Sequence, residues 1–287
     1  MKEARFYVAS EGGAECLLCP HHCRIKEGGR GICRSRECQG GKLYAVSYGN
    51  PCSLAVDPVE KKPLNDFMSG TYCLSLSCTG CNLSCRWCQN SSISQVKPED
   101  VDSAPLSPEE IVRICLRKGL PSIAYTYTEP LTWWEYMYDI ASLAHKNGLK
   151  NILVSAGYVE KEPLRELLPY IDAANIDIKA MDDSFYRKYC GATLGPVLEN
   201  IIAMVEAGVH VEITNLLVTS LNDSPEAVTR LCSWMVENHL TDIPLHFSRY
   251  FPRYHMREPG PTPRPVLDMA AETALSAGIR TVYLGNV

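Results

Sequence analysis

The chain has no excess of basic charge: 28 Lys and Arg stand against 33 Asp and Glu in 287 residues, a net charge of −5. That balance excludes a broad electrostatic footprint for nucleic acid or for an anionic membrane. Long apolar runs are also missing, with no stretch approaching the roughly 18 residues of a membrane-spanning helix. The opening MKEARFYVASEGG carries no apolar core of a signal peptide. The expected location is therefore the cytoplasm, with neither membrane nor nucleic acid as a partner. There is no low-complexity tract and no sequence repeat. With 46% hydrophobic and 21% charged residues, disorder and collagen-like architectures are excluded, and one large core or two modest domains can be built.

Beyond residue 88 cysteine is scarce, with only Cys115, Cys190 and Cys232; the other eleven of the fourteen fall within the first 88 residues. A disulfide scaffold needs an oxidising compartment and usually a small chain, and neither is expected. In a reducing compartment, thiols clustered at short fixed spacings are metal ligands, because several thiolates converge on one soft ion or one iron–sulfur cluster.

Three zones follow one another. Residues 1–50 are rich in Gly and Cys, with one strand suggested by KLYAVSY, and have too few large apolar residues to build a core unaided, as expected of a small metal-stapled module. Residues 51–71 are rich in Pro and turn formers and read as a linker. Residues 72–287 alternate strand-like runs at 72–78, 122–127, 151–156, 174–179, 209–218, 243–250 and 281–285 with six helical stretches. SPEEIVRICLRKG shows the helical logic: Ser107 as N-cap, Pro108 at the first position, acids in the first turn and a closing Gly119. Repeated β-then-α units with near-continuous apolar strands predict a parallel sheet covered by helices. A repeat of about 33 residues points to an α/β fold of partial (β/α)6 TIM-like barrel type, whose chemistry gathers at the C-terminal ends of the strands.

The loop after the first of these strands reads GCNLSCRWCQN and places Cys81, Cys85 and Cys88 at the spacing Cys-x3-Cys-x2-Cys. Three thiolates on one tight loop hold three irons of a cubane and leave the fourth open to a small molecule; zinc is the alternative. This loop, with Trp87 immediately before its last cysteine, resembles the signature of the radical S-adenosylmethionine (SAM) superfamily. The likeness is closest to the pyruvate formate-lyase activating enzymes and, within their relatives, to the AmmeMemoRadiSam system radical SAM enzymes. CLLCPHHC, GGRGIC, AVDPVEKKPL, YTYTEP, NIDIKAMDDSFYRKYCGA, HFSRYFPRY and YLGNV carry that second resemblance.

The resemblance implies a [4Fe-4S] cluster on Cys81, Cys85 and Cys88, with SAM at the open iron and Trp87 near its adenine. Where the family has a Gly-Gly-Glu segment contacting the methionine amino group, this chain has Tyr127-Thr128-Glu129-Pro130; both glycines are lost and the acid is kept. A carboxylate at a strand end suits an ammonium group, although Glu129 is also placed to cap the next helix. Asp177 and Lys179 in IDIK share a strand face and resemble a motif that holds the ribose and carboxylate of SAM; a salt bridge inside the barrel is the other reading. Ser155, Asn222 and His246 match further SAM-binding positions by resemblance, while Ser155 also suits a turn and His246 a satisfied core histidine. Arg249, Tyr250 and Arg253 form a basic and aromatic patch beside the expected mouth, suited to an anionic or peptide substrate or simply to solvent.

In the N-terminal zone, Cys16-x2-Cys19-x3-Cys23-x9-Cys33 supplies four thiols, enough for zinc or for a second iron–sulfur cluster. The implied function is an anaerobic, oxidoreductase-like enzyme that cleaves SAM reductively, usually to a 5′-deoxyadenosyl radical, and abstracts hydrogen from a small-molecule or peptide substrate. A reductant such as ferredoxin or flavodoxin is implied as a partner. The alternatives are a glycyl-radical-enzyme activase and, in another class, a non-catalytic zinc or iron–sulfur scaffold.

Overall fold

Strands that are apolar on one side and polar on the other need a helix layer outside and a filled interior inside, and the eight-stranded sheet at the centre of this protein meets both needs. The structure is a computed structural model describing residues 1–287. Six short strands come first: β1 (Lys2–Glu3), β2 (Tyr7–Ser10), β3 (Gly13–Cys16), β4 (Arg24–Lys26), β5 (Arg36–Gln39) and β6 (Lys42–Ala45). They form two three-stranded antiparallel sheets, β2-β3-β4 and β1-β6-β5. Only β6 falls within the expected KLYAVSY stretch. The others are two to four residues long, too short for alternation to register in the sequence.

The large sheet contains β7 (Ser53–Pro58), β8 (Tyr72–Ser77), β9 (Ser122–Tyr125), β10 (Lys150–Ser155), β11 (Ala173–Asp177), β12 (His210–Leu217), β13 (Leu245–Arg249) and β14 (Val282–Gly285), in sequential order. From β8 to β14 every pairing is parallel. Between these strands run α1 (Pro108–Arg117), α2 (Trp134–Lys146), α3 (Lys161–Leu167), α4 (Gly195–Glu206), α5 (Pro225–Glu237) and α6 (Arg264–Ser276). All seven expected strands and six expected helices are therefore present, and the fold is a partial TIM-like barrel with an open seam between β7 and β14. Helix α1 begins as its sequence dictates: Ser107 Oγ accepts from Glu110 N and the Glu110 carboxylate accepts from Ser107 N, a reciprocal cap.

One expectation fails at residues 51–71, which are not a linker. Ser53–Pro58 is the antiparallel edge strand, in register from Ser53 opposite Ser77 to Pro58 opposite Tyr72. Pro51 and Pro58 mask it in the sequence, although proline is tolerated at the end of an edge strand. The chain after β7 then turns inward. Val59 and Leu64 pack with Cys73, Ala124, Ile152 and Ala173 in an apolar layer of their own, and Pro63 O accepts from Asn175 Nδ2 at 2.7 Å. This segment floors the barrel. The outward residues of the same strands, among them Leu74, Ile123, Leu153, Ile176 and Phe247, join the helices and parts of the N-terminal sheets in one continuous core.

Glu212 ties the floor to the strands. Its fully buried carboxylate accepts from the amides of Asn65 and Asp66 at 3.0 and 2.9 Å and pairs with His210 at 3.1 Å and His246 at 2.6 Å. Burial alone raises its pKa, but the two histidines and the two amides outweigh burial and hold it down to about 2. A carboxyl depressed by folding contributes stability above its unfolded value and loses it as pH falls toward the folded one. Glu212→Gln therefore flattens the acid limb: from about pH 6 to about pH 2 the parent loses about 3 kcal/mol more than the variant, read from urea midpoints along the pH series.

Candidate active site

A cavity of about 320 Å³ opens at the C-terminal ends of the parallel strands. Its walls carry Cys81, Cys85, Cys88, Trp87, Glu129, Ser155, Asp177 and Lys179, together with Lys62, Asn90, Tyr127, Thr214 and Ser248. The alternation of the strands explains the set. On β12, Glu212, Thr214 and Leu216 share the inner face, and on β13 His246 and Ser248 do; the lower member of each column meets the floor and the upper members meet the cavity.

The loop bearing the three thiols is fixed from several sides. Gly80 has φ +105°, and a Cβ there would lie 2.0 Å from Ser35 Oγ and 2.5 Å from Cys33 O, so only glycine permits this approach of the N-terminal sheets. On the other side Ser84 N donates to Cys190 O at 2.7 Å and Arg86 N to Tyr189 O at 3.1 Å. Burial pushes the Cys81 thiol well above its usual value, with the Glu129 carboxylate adding to the effect, and raises Cys88 as well. Cys85 goes the other way, because the Cys190 thiol and then the Lys179 ammonium favour its thiolate. Buried thiols become ligands readily only when a cation arrives to offset their charge.

Glu129 is 1% exposed. Its carboxylate accepts from Ser155 Oγ at 2.6 Å, Ala156 N at 2.8 Å and Leu131 N at 3.1 Å, so it both caps the following turn and faces the cavity. Burial raises its pKa despite these bonds. Lys179 Nζ lies 2.7 Å from Asp177 Oδ2; burial opposes the lysine's charge, and Asp177 more than offsets that. The pair forms a salt bridge, and both of its members line the cavity. The Trp87 ring packs 5.6 Å from that of Phe185 and is held at the rim.

Other expected residues lie elsewhere. His246 is on the inner face but one step below the cavity, paired with Glu212 in the floor. Asn222 spends its side chain on the backbone: Oδ1 accepts from Val218 N at 2.6 Å, while Nδ2 donates to Lys179 O at 2.7 Å and Leu216 O at 2.9 Å. Tyr250 is buried with its hydroxyl on Met256 O, Arg249 Nε is bonded to Thr262 O, and Arg253 is exposed. None of the five lines the cavity. Sequence reasoning missed Lys62, and it gave Tyr127 no role beyond its place in the Tyr127–Pro130 segment. Asp57 Oδ2 accepts from Lys62 Nζ at 2.8 Å, from Ser75 Oγ at 2.7 Å and from the Tyr127 hydroxyl, and Tyr127 adopts φ +68°. The signal was the charge-rich AVDPVEKKPL, which was noted only as a resemblance.

Cys16, Cys19, Cys23 and Cys33 line a second, small cavity with His21 and Arg36. In neither cysteine group do three side chains already converge at the spacing of ligands to a single ion. No helix is long and apolar enough to cross a membrane.

A thiol-bearing loop above a parallel barrel, with a carboxylate on the next strand end, defines the class to which comparison with known proteins leads. Residues 76–235 match the family model described as "Radical SAM superfamily", and the chain belongs to that superfamily, a class of enzymes. Over 288 aligned residues, covering 100% of this chain and 86% of the relative, it is 46% identical to "Uncharacterized protein MJ0808" of Methanocaldococcus jannaschii. It is 26% identical to the pyruvate formate-lyase-activating enzyme of Clostridium pasteurianum, over 54% of this chain and 65% of that one. It is 25% identical to a 4-hydroxyphenylacetate decarboxylase activating enzyme of Clostridioides difficile, over 65% and 58%. Among solved structures, a radical SAM methyltransferase from Sphaerobacter thermophilus superposes with a TM-score of 0.56 at 15% identity, covering 77% of this chain and 68% of that one. The chain is thus a radical SAM enzyme related to the activating enzymes.

The glycine that admits the N-terminal sheets gives a direct test of the loop's setting. Gly80→Ala costs at least about 2 kcal/mol, because both the left-handed backbone and the backbone carbonyl of Cys33 resist it. Gly70→Ala, at φ +79° with nothing within 4 Å, costs about 1 kcal/mol from backbone strain alone. Denaturant midpoints of the two variants measure the difference.

Proposed function

We propose that Cys81, Cys85 and Cys88 hold a [4Fe-4S] cluster, that SAM binds beside it, and that a carbon-centred radical made from SAM takes hydrogen from a small-molecule or peptide substrate. The observation that carries this reading is that the three thiols share one cavity with Glu129, Asp177, Lys179 and Trp87. The donor set fits the cluster: three soft sulfur ligands on one loop leave one iron free. When bound, the cluster supplies one electron to the sulfonium of SAM, and a reductant of the ferredoxin or flavodoxin type replenishes it.

The chain's own residues bind and orient. Glu129 receives the amino group of SAM, with Ser155 and the Ala156 amide fixing the carboxylate so that no reorganisation is needed on binding. Asp177 accepts from the ribose hydroxyls, Lys179 donates to the SAM carboxylate, and Trp87 borders the adenine. Lys62 of the floor segment, with Asp57 of β7 and Tyr127 just after β9, closes the inner end, which limits water at the reacting centre. A second reading, activation of a partner protein by a glycyl radical, is favoured by the relatives named as activating enzymes. For the N-terminal cysteines we propose zinc or a further cluster.

Electron paramagnetic resonance of the anaerobically reconstituted, reduced protein tests the central claim. The expected result is a cubane signal component that changes on adding SAM; that component, with SAM cleavage, is absent from a variant in which Cys81, Cys85 and Cys88 are replaced by alanine. If no component of the signal responds to SAM, the proposal fails. At the ligand, Glu129→Gln weakens SAM binding about tenfold or more, because an uncharged amide replaces the acceptor of an ammonium. Equilibrium dialysis with radiolabelled SAM measures it, and unchanged affinity removes Glu129 from the site.

A further inference from the structure

A buried guanidinium with unspent donors stands beside the four N-terminal thiols. Arg36, in β5, is 1% exposed. Its Nη2 makes both bonds to Glu135, at 2.8 Å to each carboxylate oxygen, while Nε and Nη1 have no partner. Leaving a charged donor buried and unpaired is costly. The same cavity that Arg36 lines is walled by Cys16, Cys19, Cys23 and Cys33. A neutral thiol is a weak acceptor and does little for a guanidinium; a metal-bound thiolate is an anion and accepts well.

We propose that Cys16, Cys19, Cys23 and Cys33 hold a second metal centre, an anionic tetrathiolate, with Arg36 as its hydrogen-bonding counter-cation. Four thiolates outweigh the positive charge of either a zinc ion or an oxidised cubane core, so both leave net negative charge facing the orphaned Nε and Nη1. Assembly breaks four S–H bonds and forms four metal–sulfur bonds; the four protons go to solvent, and nothing is oxidised or reduced. Glu135 then has a defined part. It neutralises one edge of the guanidinium and turns the other edge toward the sulfurs.

The placement also gives the centre a task. His21, between two of the ligands, meets Asn82 O through Nε2 at 2.7 Å. Cys33 O and Ser35 Oγ lie against Gly80, and Ser35 Oγ donates to Thr79 O at 2.9 Å. Residues 79 to 82 open the loop that carries Cys81, Cys85 and Cys88, so the second centre braces the start of that loop from outside the barrel.

The test uses the full chain with Cys81, Cys85 and Cys88 replaced by alanine, so that its outcome is independent of the SAM reading. Zinc, iron and acid-labile sulfide are measured per chain, with circular dichroism to verify folding. One zinc per chain identifies an ion, and iron with matching sulfide identifies a cluster; either supports the centre, and a folded chain with neither overturns it. Arg36 is tested separately by release of the metal to a chelator. Arg36→Gln/Glu135→Gln, which removes the ion pair as a unit, is expected to release it about tenfold faster or more, whereas Glu135→Gln alone holds it. Release at the parental rate from the double variant overturns the role of Arg36 and reduces it to a partner of Glu135.

Discussion

The period-two alternation of the parallel strands is the constraint on which the rest depends. Because every second residue faces inward, each strand contributes a short vertical column, and the height of a residue in its column decides whether it can meet a ligand. Cys73, Ala124, Ile152 and Ala173 are low and apolar, and they pack with Val59 and Leu64 of the floor. Ser75, Asn175 and Glu212 stand above them and bond to that segment or to Asp57. Only the top level, with Thr126, Val154, Asp177, Thr214, Leu216 and Ser248, reaches the cavity.

Much of this was legible because the signals were local. Seven apolar runs and six helical stretches, the first with its own N-cap at Ser107, state their own structure, and a Cys-x3-Cys-x2-Cys loop after the first parallel strand points to the superfamily. Height within a column is not local. His246 was found on the right strand and the right face, yet it sits two residues below Ser248, a displacement of about 6.6 Å along a parallel strand, enough to exchange a ligand position for a floor position. Asn222 lies outside the cavity for a different reason: its amide is matched to Val218 N and Leu216 O close by in the chain and to Lys179 O just past β11, and the last of these bonds is not visible in the local sequence. The edge strand β7 stayed hidden because its flanking prolines resemble a linker, and its role depends entirely on β8 lying alongside.

The N-terminal sheets and the barrel are one body energetically. Ala14, Leu18, Ile25 and Leu43 join the same core as the barrel helices, and the buried Arg36–Glu135 pair spans β5 and α2. A buried pair of this kind adds little net stability relative to apolar packing. What it does is fix which part of the N-terminal zone faces the barrel, and with it the position of Cys33 O against Gly80. Placement of the thiol loop is therefore decided partly outside the barrel that carries it.

Charge pairing inside the cavity narrows what the site can hold. Lys179 is matched by Asp177 at 2.7 Å, and Lys61 and Lys62 share Asp57 at 2.8 Å each, so every lysine of the cavity is already paired. Glu129 is different: it has three hydrogen-bond donors but no ion-pair partner, and burial pushes its carboxyl toward the neutral form. Such a group gains most from a ligand that supplies a positive charge, because that charge offsets the desolvation the protein alone leaves uncompensated. The amino group of SAM is a cation of this kind, and its carboxylate and hydroxyls are of the type that Lys179 and Asp177 exchange bonds with. Cys81 and Cys88 impose the same requirement on the other ligand, since burial opposes their thiolate forms until metal charge arrives. Under the proposed reading, cluster and SAM each relieve an electrostatic cost that the folded chain carries in their absence, and both are relieved in a single cavity.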